Sequence, residues 1–251
     1  MSKLPLFPIV AYALISNTQA GSHNDHLSFS SPDSPWQLTA EALYLKAEAS
    51  DFAYQNQDFE FGYRLEASYK NGDDIGIRLR YFDFEGTTGD SFQEQGPDFS
   101  SYDLEFFNQD TEGLWDLEYT LGLRYLDYSE SFVIGGTSFT DADTDAWGPT
   151  FSLEFKRPLT ESLNVYIKGR ISYVFGESSD LGGGGDTLIL EAGTGIEYKF
   201  SIVDQQDAFI KLGLEVQQYD DIAVDIDGAL FDSGLEDGVL FGGSFSLGFR
   251  F

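Results

Sequence analysis

A period of two, recurring in ten segments and running to the last residue, constrains this chain more than any other feature. In 238–251 the odd positions from Val239 are Val239, Phe241, Gly243, Phe245, Leu247, Phe249 and Phe251. From Gly242 the even positions are Gly242, Ser244, Ser246, Gly248 and Arg250. Successive side chains of a β-strand point to opposite faces, so this is a strand with one apolar and one polar or small face. The alternation is clearest in 59–70. There Phe59, Phe61, Tyr63, Leu65, Ala67 and Tyr69 interleave with Glu60, Gly62, Arg64, Glu66, Ser68 and Lys70. It returns in 36–46, 75–84, 100–108, 115–125, 147–156, 163–173, 188–200 and 208–217. The segment 100–108 is the least regular, because Phe106-Phe107 interrupts it. Helical periodicity is absent.

The connections alternate in length. Short turns fall near Asn71, Gln109, Arg157 and Val203, and Asn71-Gly72 suits a tight hairpin because it tolerates positive φ. Long connections fall at 47–58, 85–99, 127–145, 176–186 and 220–237. An even number of alternating strands with unequal ends predicts an all-β fold, a transmembrane antiparallel up-and-down β-barrel of about ten strands with both termini periplasmic. The barrel is expected over 36–251. Its closing strand resembles those of bacterial outer-membrane barrels, which end in an aromatic that the assembly machinery reads; on that resemblance Phe249 and Phe251 are the assembly signal.

Charge separates a membrane barrel from a soluble one. Lys and Arg number 14 against 43 Asp and Glu, for a net charge of −29. This balance opposes nucleic acid as a partner. The five long connections hold 22 of the acids and no Lys or Arg. The polar strand faces carry 11 bases and 11 acids. Charges that cancel are what a narrow lumen requires, because an enclosed unpaired charge is costly. The expected lumen-lining charges are Glu41, Arg64, Glu66, Arg78, Arg80, Glu105, Glu118, Arg124, Glu154, Lys168, Arg170, Glu191, Glu197, Lys211 and Glu215. Aromatics reach 16%, which speaks against disorder. Trp36, Trp115 and Trp147, with Tyr44, Tyr69, Tyr81, Tyr125, Tyr173 and Tyr198, fall near strand ends on the apolar face, where interfacial girdles lie.

Residues 1–20 read as a secretory signal: Lys3, a short apolar core to Ile15, then Thr18-Gln19-Ala20 with cleavage after Ala20. A polar leader, 21–35, precedes the barrel. The expected location is the outer membrane of a Gram-negative-type bacterium. Its lipid, lipopolysaccharide and the barrel assembly machinery are the expected partners, and the oligomeric state is left open.

Catalytic chemistry is sparse. The chain has no Cys and two His, His23 and His26, both ahead of the barrel. An enzyme using His as acid or base is not expected. No cofactor is expected. Asp141, Asp143 and Asp145 begin like a calcium loop but lack its Gly and final Glu, and Asp225 and Asp227 are equally incomplete, so they are candidates for loosely bound Ca²⁺ only.

Four stretches resemble the Legionella-type major outer membrane protein family, a pore-forming group. They are Trp36-Gln-Leu-Thr-Ala-Glu-Ala-Leu-Tyr-Leu45, Tyr102-Asp-Leu-Glu105, Gly122-Leu-Arg-Tyr-Leu126 and Gly148-Pro-Thr-Phe151. The resemblance implies a porin-like role without catalytic residues. The expected function is therefore a small porin-like pore with a charged lumen and acidic external loops, cation-preferring if it conducts. The alternative is a non-conducting structural or surface-interaction barrel, adhesin-like and cation-binding. Deleting 249–251 is expected to impair assembly; a truncated chain that inserts normally and keeps heat-modifiable gel mobility would contradict that.

Overall fold

The strands form one antiparallel sheet in chain order, closed on itself. The computed structural model describes residues 35–49, 58–70, 72, 75–86, 88–90, 93–134, 137–178, 184–203, 206–224 and 235–251. The expected signal segment, its cleavage site, the leader up to 34, Asp225 and Asp227 lie outside them. The strands are β1 (Trp36–Ala49), β2 (Glu60–Tyr69), β3 (Gly76–Glu85), β4 (Thr88–Asp90), β5 (Gln93–Glu112) and β6 (Trp115–Ile134). They continue as β7 (Thr137–Pro158), β8 (Leu163–Ser178), β9 (Gly184–Val203), β10 (Gln206–Val224) and β11 (Leu235–Arg250).

Two pairings close the ring. β1 pairs with β11 from Gln37 opposite Arg250 to Ala49 opposite Gly238. β3 pairs with β5 from Gly76 opposite Phe107 to Glu85 opposite Asp98. The short β4 pairs with β5 just beyond, at Gln93 to Gln95, and so continues the line of β3. The barrel therefore has ten staves, the β3 stave being interrupted after Glu85. Closure satisfies the backbone around the circumference and leaves no long edge within the ring.

Several boundaries depart from expectation, most of them at the long-strand end, while β5 also runs past the turn expected near Gln109 to Glu112. The irregular segment 100–108 is the middle of a 20-residue strand, β5. Most of the connection expected at 127–145 is strand, since β6 runs to Ile134 and β7 begins at Thr137. The connections at 85–99, 176–186 and 220–237 are likewise shortened by β4, β5, β8, β9, β10 and β11. Ser, Thr and acid-rich sequence resembles a loop, yet cross-strand pairing to a neighbour already in register carries the ladder onward. The opposite end keeps tight turns, with Gly72 and Gly113 at φ 61° and 65°. Positive φ of this kind is where glycine replaces other residues without strain.

The two faces of the wall are inverted relative to a soluble barrel. Outside lie Phe61, Leu79, Phe106, Leu121, Ile167 and Leu214, with Phe61 76% exposed. Inside lie the polar positions of the same strands, most of them buried. Aromatics band the outer surface at two heights. Towards the long-strand end Tyr63, Tyr81, Tyr102 and Tyr125 form a ladder, with centroids 5.8, 4.7 and 6.2 Å apart. Trp147 pairs in register with Tyr125, and Phe175 with Trp147. Towards the tight-turn end Trp36 packs on Tyr69 at 4.8 Å, and Arg157 lies 5.6 Å over Trp115. From Tyr69 to Phe61 the tilted strand rises roughly 20 Å, close to the apolar height of a membrane barrel.

Interior aromatics near the tight-turn end are seated on glycines. Phe107 covers Gly76, Phe209 covers Gly248, and Tyr166 lies over Gly195 and Gly213. This explains Phe106-Phe107: Phe106 faces out, while Phe107 turns inward over a glycine on the neighbouring strand. A Cβ on Gly248 would stand 2.0 Å from the Phe209 ring, whereas one on Gly169 meets nothing closer than 3.9 Å. Gly248→Ala is expected to cost about 1–3 kcal/mol, as overpacking does. Gly169→Ala is expected to stay within about 0.5 kcal/mol. Urea unfolding of the detergent-refolded barrel measures both, and equal effects would contradict this packing.

Candidate functional site

The lumen is the candidate site, and the period of two builds it. Alternate residues of every stave point inward, so each strand delivers polar groups at spacings fixed by the pleat. Nine bases and nine acids of the described strands form one set of lumenal ion pairs. The bases are Arg64, Arg78, Arg80, Arg124, Lys156, Lys168, Arg170, Lys199 and Lys211. The acids are Glu41, Glu66, Asp103, Glu105, Glu118, Glu154, Glu191, Glu197 and Glu215. These include all fifteen of the expected lumen-lining charges, together with Asp103, Lys156 and Lys199.

At the centre, two carboxylates share three guanidiniums. Asp103 on β5 is reached by Arg80 at 3.1 Å, Arg124 at 2.7 Å and Arg170 at 3.5 Å. Glu191 on β9 is reached by the same three at 2.9, 2.6 and 3.7 Å. Glu105 takes a further contact from Arg170. The cluster thus spans the lumen and ties β3, β5, β6, β8 and β9 together.

A second cluster joins the other wall. Arg64 on β2 contacts Glu41 on β1 and donates two hydrogen bonds to Glu215 on β10, at 3.0 and 2.6 Å. Lys168 reaches Glu215 at 2.8 Å, and Ser246 Oγ donates to Glu41 at 3.0 Å. Towards the tight turns, Arg78 sits between Glu66 at 3.2 Å and Glu118 at 2.7 Å, with Phe107 stacked 4.6 Å away. Lys156 and Lys211 bracket Glu154 and Glu197 at 2.8 to 3.6 Å. Arg250 Nε donates to Gln37 at 2.8 Å. A polar cavity of about 100 Å³ lies among these groups, lined by Thr39, Glu41, Arg64, Arg78, Lys168 and Glu215 among others. That is room for a few waters at roughly 30 Å³ each.

Above this polar zone the lumen changes character. Leu43, Leu45 and Ala47 of β1 meet Phe82 and Phe84 of β3, Phe99 of β5, and Leu126 and Tyr128 of β6. Ala146, Val174, Ile189, Tyr219 and Leu240 bring in β7 to β11. The members are 0 to 3% exposed, so the layer is filled across the bore. Among the described residues the β2 stave contributes no member and β7 only Ala146; on β2, Gly62 makes room, since a Cβ there would be 3.2 Å from the Phe84 ring. Tyr219 OH donates to Gln217, whose Nε2 donates to Glu215, linking the apolar layer to the charges below.

Sequence reasoning missed this layer. The alternation of 36–46 puts Leu43 and Leu45 in polar-face positions, and Phe99, Tyr128 and Tyr219 fall in or beside the expected connections; all five are buried inside. The signal was present as failed alternation. Leu43-Tyr44-Leu45, Tyr81-Phe82, Tyr125-Leu126 and Tyr173-Val174-Phe175 are apolar on both faces, because the outer girdle and the inner layer stand at one height.

The calcium candidates are also repositioned. Asp141, Asp143 and Asp145 lie on β7, Asp143 and Asp145 in register with β6 and Asp141 at its bulge, where a strand replaces the expected loop. Asp145 accepts the Tyr125 hydroxyl. Tyr81 donates likewise to Asp83 at 2.5 Å and Tyr173 to Asp186 at 3.1 Å, so carboxylates cap tyrosines of the upper girdle. Among the described residues no group of three or more His, Cys, Asp or Glu could hold a metal ion. Of the assembly residues, Phe249 is exposed on the outer face, and Phe251 exchanges backbone hydrogen bonds with Trp36 at 3.1 and 3.2 Å.

No protein-family model and no curated protein matches the chain, so nothing supports membership of the Legionella-type family. Solved structures share its outline. The β domain of the Bordetella autotransporter BrkA is 13% identical with TM-score 0.47, covering 87% of this chain and 99% of that one. The outer membrane protease OmpT from Escherichia coli is 11% identical with TM-score 0.46, covering 90% and 99%. The translocator domain of autotransporter NalP from Neisseria meningitidis is 14% identical with TM-score 0.42, covering 86% and 88%.

The lumenal pairs predict a specific stability pattern. Arg64→Met leaves Glu41 without its ion-pair partner and Glu215 with Lys168 as its one cation, and is expected to cost about 3–5 kcal/mol, as breaking a buried pair does. Adding Glu41→Gln removes the stranded charge and is expected to recover more than half of that loss. Denaturant midpoints of the two variants check this, and a double variant no more stable than the single one would contradict the pairing.

Proposed function

We infer that the chain is an outer-membrane barrel with a closed lumen, a non-conducting scaffold that holds its long-strand end outside the cell for surface interaction. Lipid exposure is supported by the apolar outer wall between two aromatic bands, which water would disfavour and hydrocarbon accepts. The acid-rich end is the external one because membrane barrels keep tight turns on the periplasmic side. Both ends of the described barrel then lie at the periplasmic face.

One observation carries the closed reading over the porin-like one: the apolar layer from Leu43 to Leu240 fills the bore with side chains at most 3% exposed. An ion crossing it would shed its water with only the Tyr128 and Tyr219 hydroxyls to replace it. Below the layer, the charges that would line a pore are consumed in ion pairs across it. Ten staves leave little width in any case, since eight are filled by side chains.

In planar bilayers the refolded barrel is expected to give no current above the lipid control. Replacing Leu45, Phe84 and Tyr219 together with glycine is expected to admit ions. Steady channels from the unaltered barrel would overturn the closed reading and restore the pore.

A further inference from the structure

The long-strand end carries a strand edge that the ring does not cover. β6 and β7 stay paired to Ile134 opposite Thr137. On its other side β7 is paired with β8 only as far as Thr144 opposite Ser178. The described part of β8 ends at Ser178, and Glu177 already faces Gly184 of β9. Residues 137–143 of β7 therefore present one backbone edge with no partner among the described residues. Beyond the last β8 pair this edge extends by roughly 20 Å at strand rise. The far edge of the same extension, β4, is three residues long and too short to be an equal template.

We propose that 137–143 of β7 is a docking edge for an extended, lysine- or arginine-bearing strand of another protein, which adds to the sheet antiparallel or parallel to β7. This rests on the proposal that the long-strand end faces outward. Open strand edges recruit strands through main-chain hydrogen bonds, with side chains selecting the partner. Charge does the selecting. The stretch 127–145 carries Asp127, Glu130, Asp141, Asp143 and Asp145 and no Lys or Arg. A second copy would bring like charges face to face, which opposes self-pairing. A basic strand meets no such repulsion and gains from the acidic surroundings.

The test uses the full-length barrel in detergent and an eleven-residue peptide alternating Lys with Thr or Val. A second peptide keeps every Lys but places Pro between them, which retains charge and forbids a strand. The first peptide is expected to bind, and to slow amide exchange in 137–143 at least tenfold while leaving the rest of the barrel unchanged. The proline peptide is expected to bind at least tenfold more weakly. Asp141→Lys with Asp143→Lys is expected to shift preference towards a Glu-for-Lys peptide without altering the fold. Equal binding of the lysine and proline peptides, binding without protection of 137–143, or no binding would each overturn the proposal. So would protection of 137–143 by self-association alone, which would make the partner a second copy. None of these outcomes bears on bilayer current, so the closed-lumen reading stands or falls separately.

Discussion

Charge pairing inside a closed wall is the constraint on which the rest depends. Asp103 and Glu191 come from staves on different sides of the barrel and bind the same three arginines. Buried singly, any of these five groups would be strongly destabilising; together they fix one another's position. The arrangement works only if the wall is complete, because each arginine arrives on a different strand and its height is set by the pairing register. Strand register and ion pairing therefore specify each other. A slip of one residue in a strand would turn its lumenal charges outward and its lipid-facing Leu and Phe inward.

The apolar layer gives the charges a roof. Leu45, Phe84, Leu126, Ile189 and Leu240 stand on the same inner face as the arginines, nearer the long-strand end. Pairs beneath such a layer are shielded from bulk water on that side, so their attraction is screened less than at a surface. The same layer is what makes an open pore the poorer account. On the closed reading proposed above, the barrel is a rigid support whose chemistry is displaced to the rim. There, girdle tyrosines donate to Asp83, Asp145 and Asp186, and β5, β6 and β7 extend beyond the ring.

Much of this was legible in the sequence, and its limits have physical causes. Alternation as strict as Phe59 to Lys70 identifies a strand and both of its faces, and the near-equality of acids and bases on the polar faces anticipates pairing. Partners were not legible: Arg64 and Glu215 are 151 residues apart, and only register brings them together. Alternation also fails wherever both faces are apolar, which is why the inner layer escaped notice. Strand ends escaped for a different reason. Gln93 to Asp98, Ser129 to Ser131 and Thr137 to Asp145 have loop-like composition, and they are strands only because the neighbouring strand is already there to pair with.

The claim tested most directly is that the lumen is reachable from one end only. The chain has no cysteine, so a single Thr39→Cys places one thiol in the polar cavity below the apolar layer. With the barrel inserted in vesicles in one orientation, a small charged thiosulfonate is added to one side at a time. Modification from the tight-turn side, with none from the long-strand side on the same timescale, is the predicted result. Equal rates from both sides would mean an open passage through Leu43, Leu45 and Phe84, and would contradict the account.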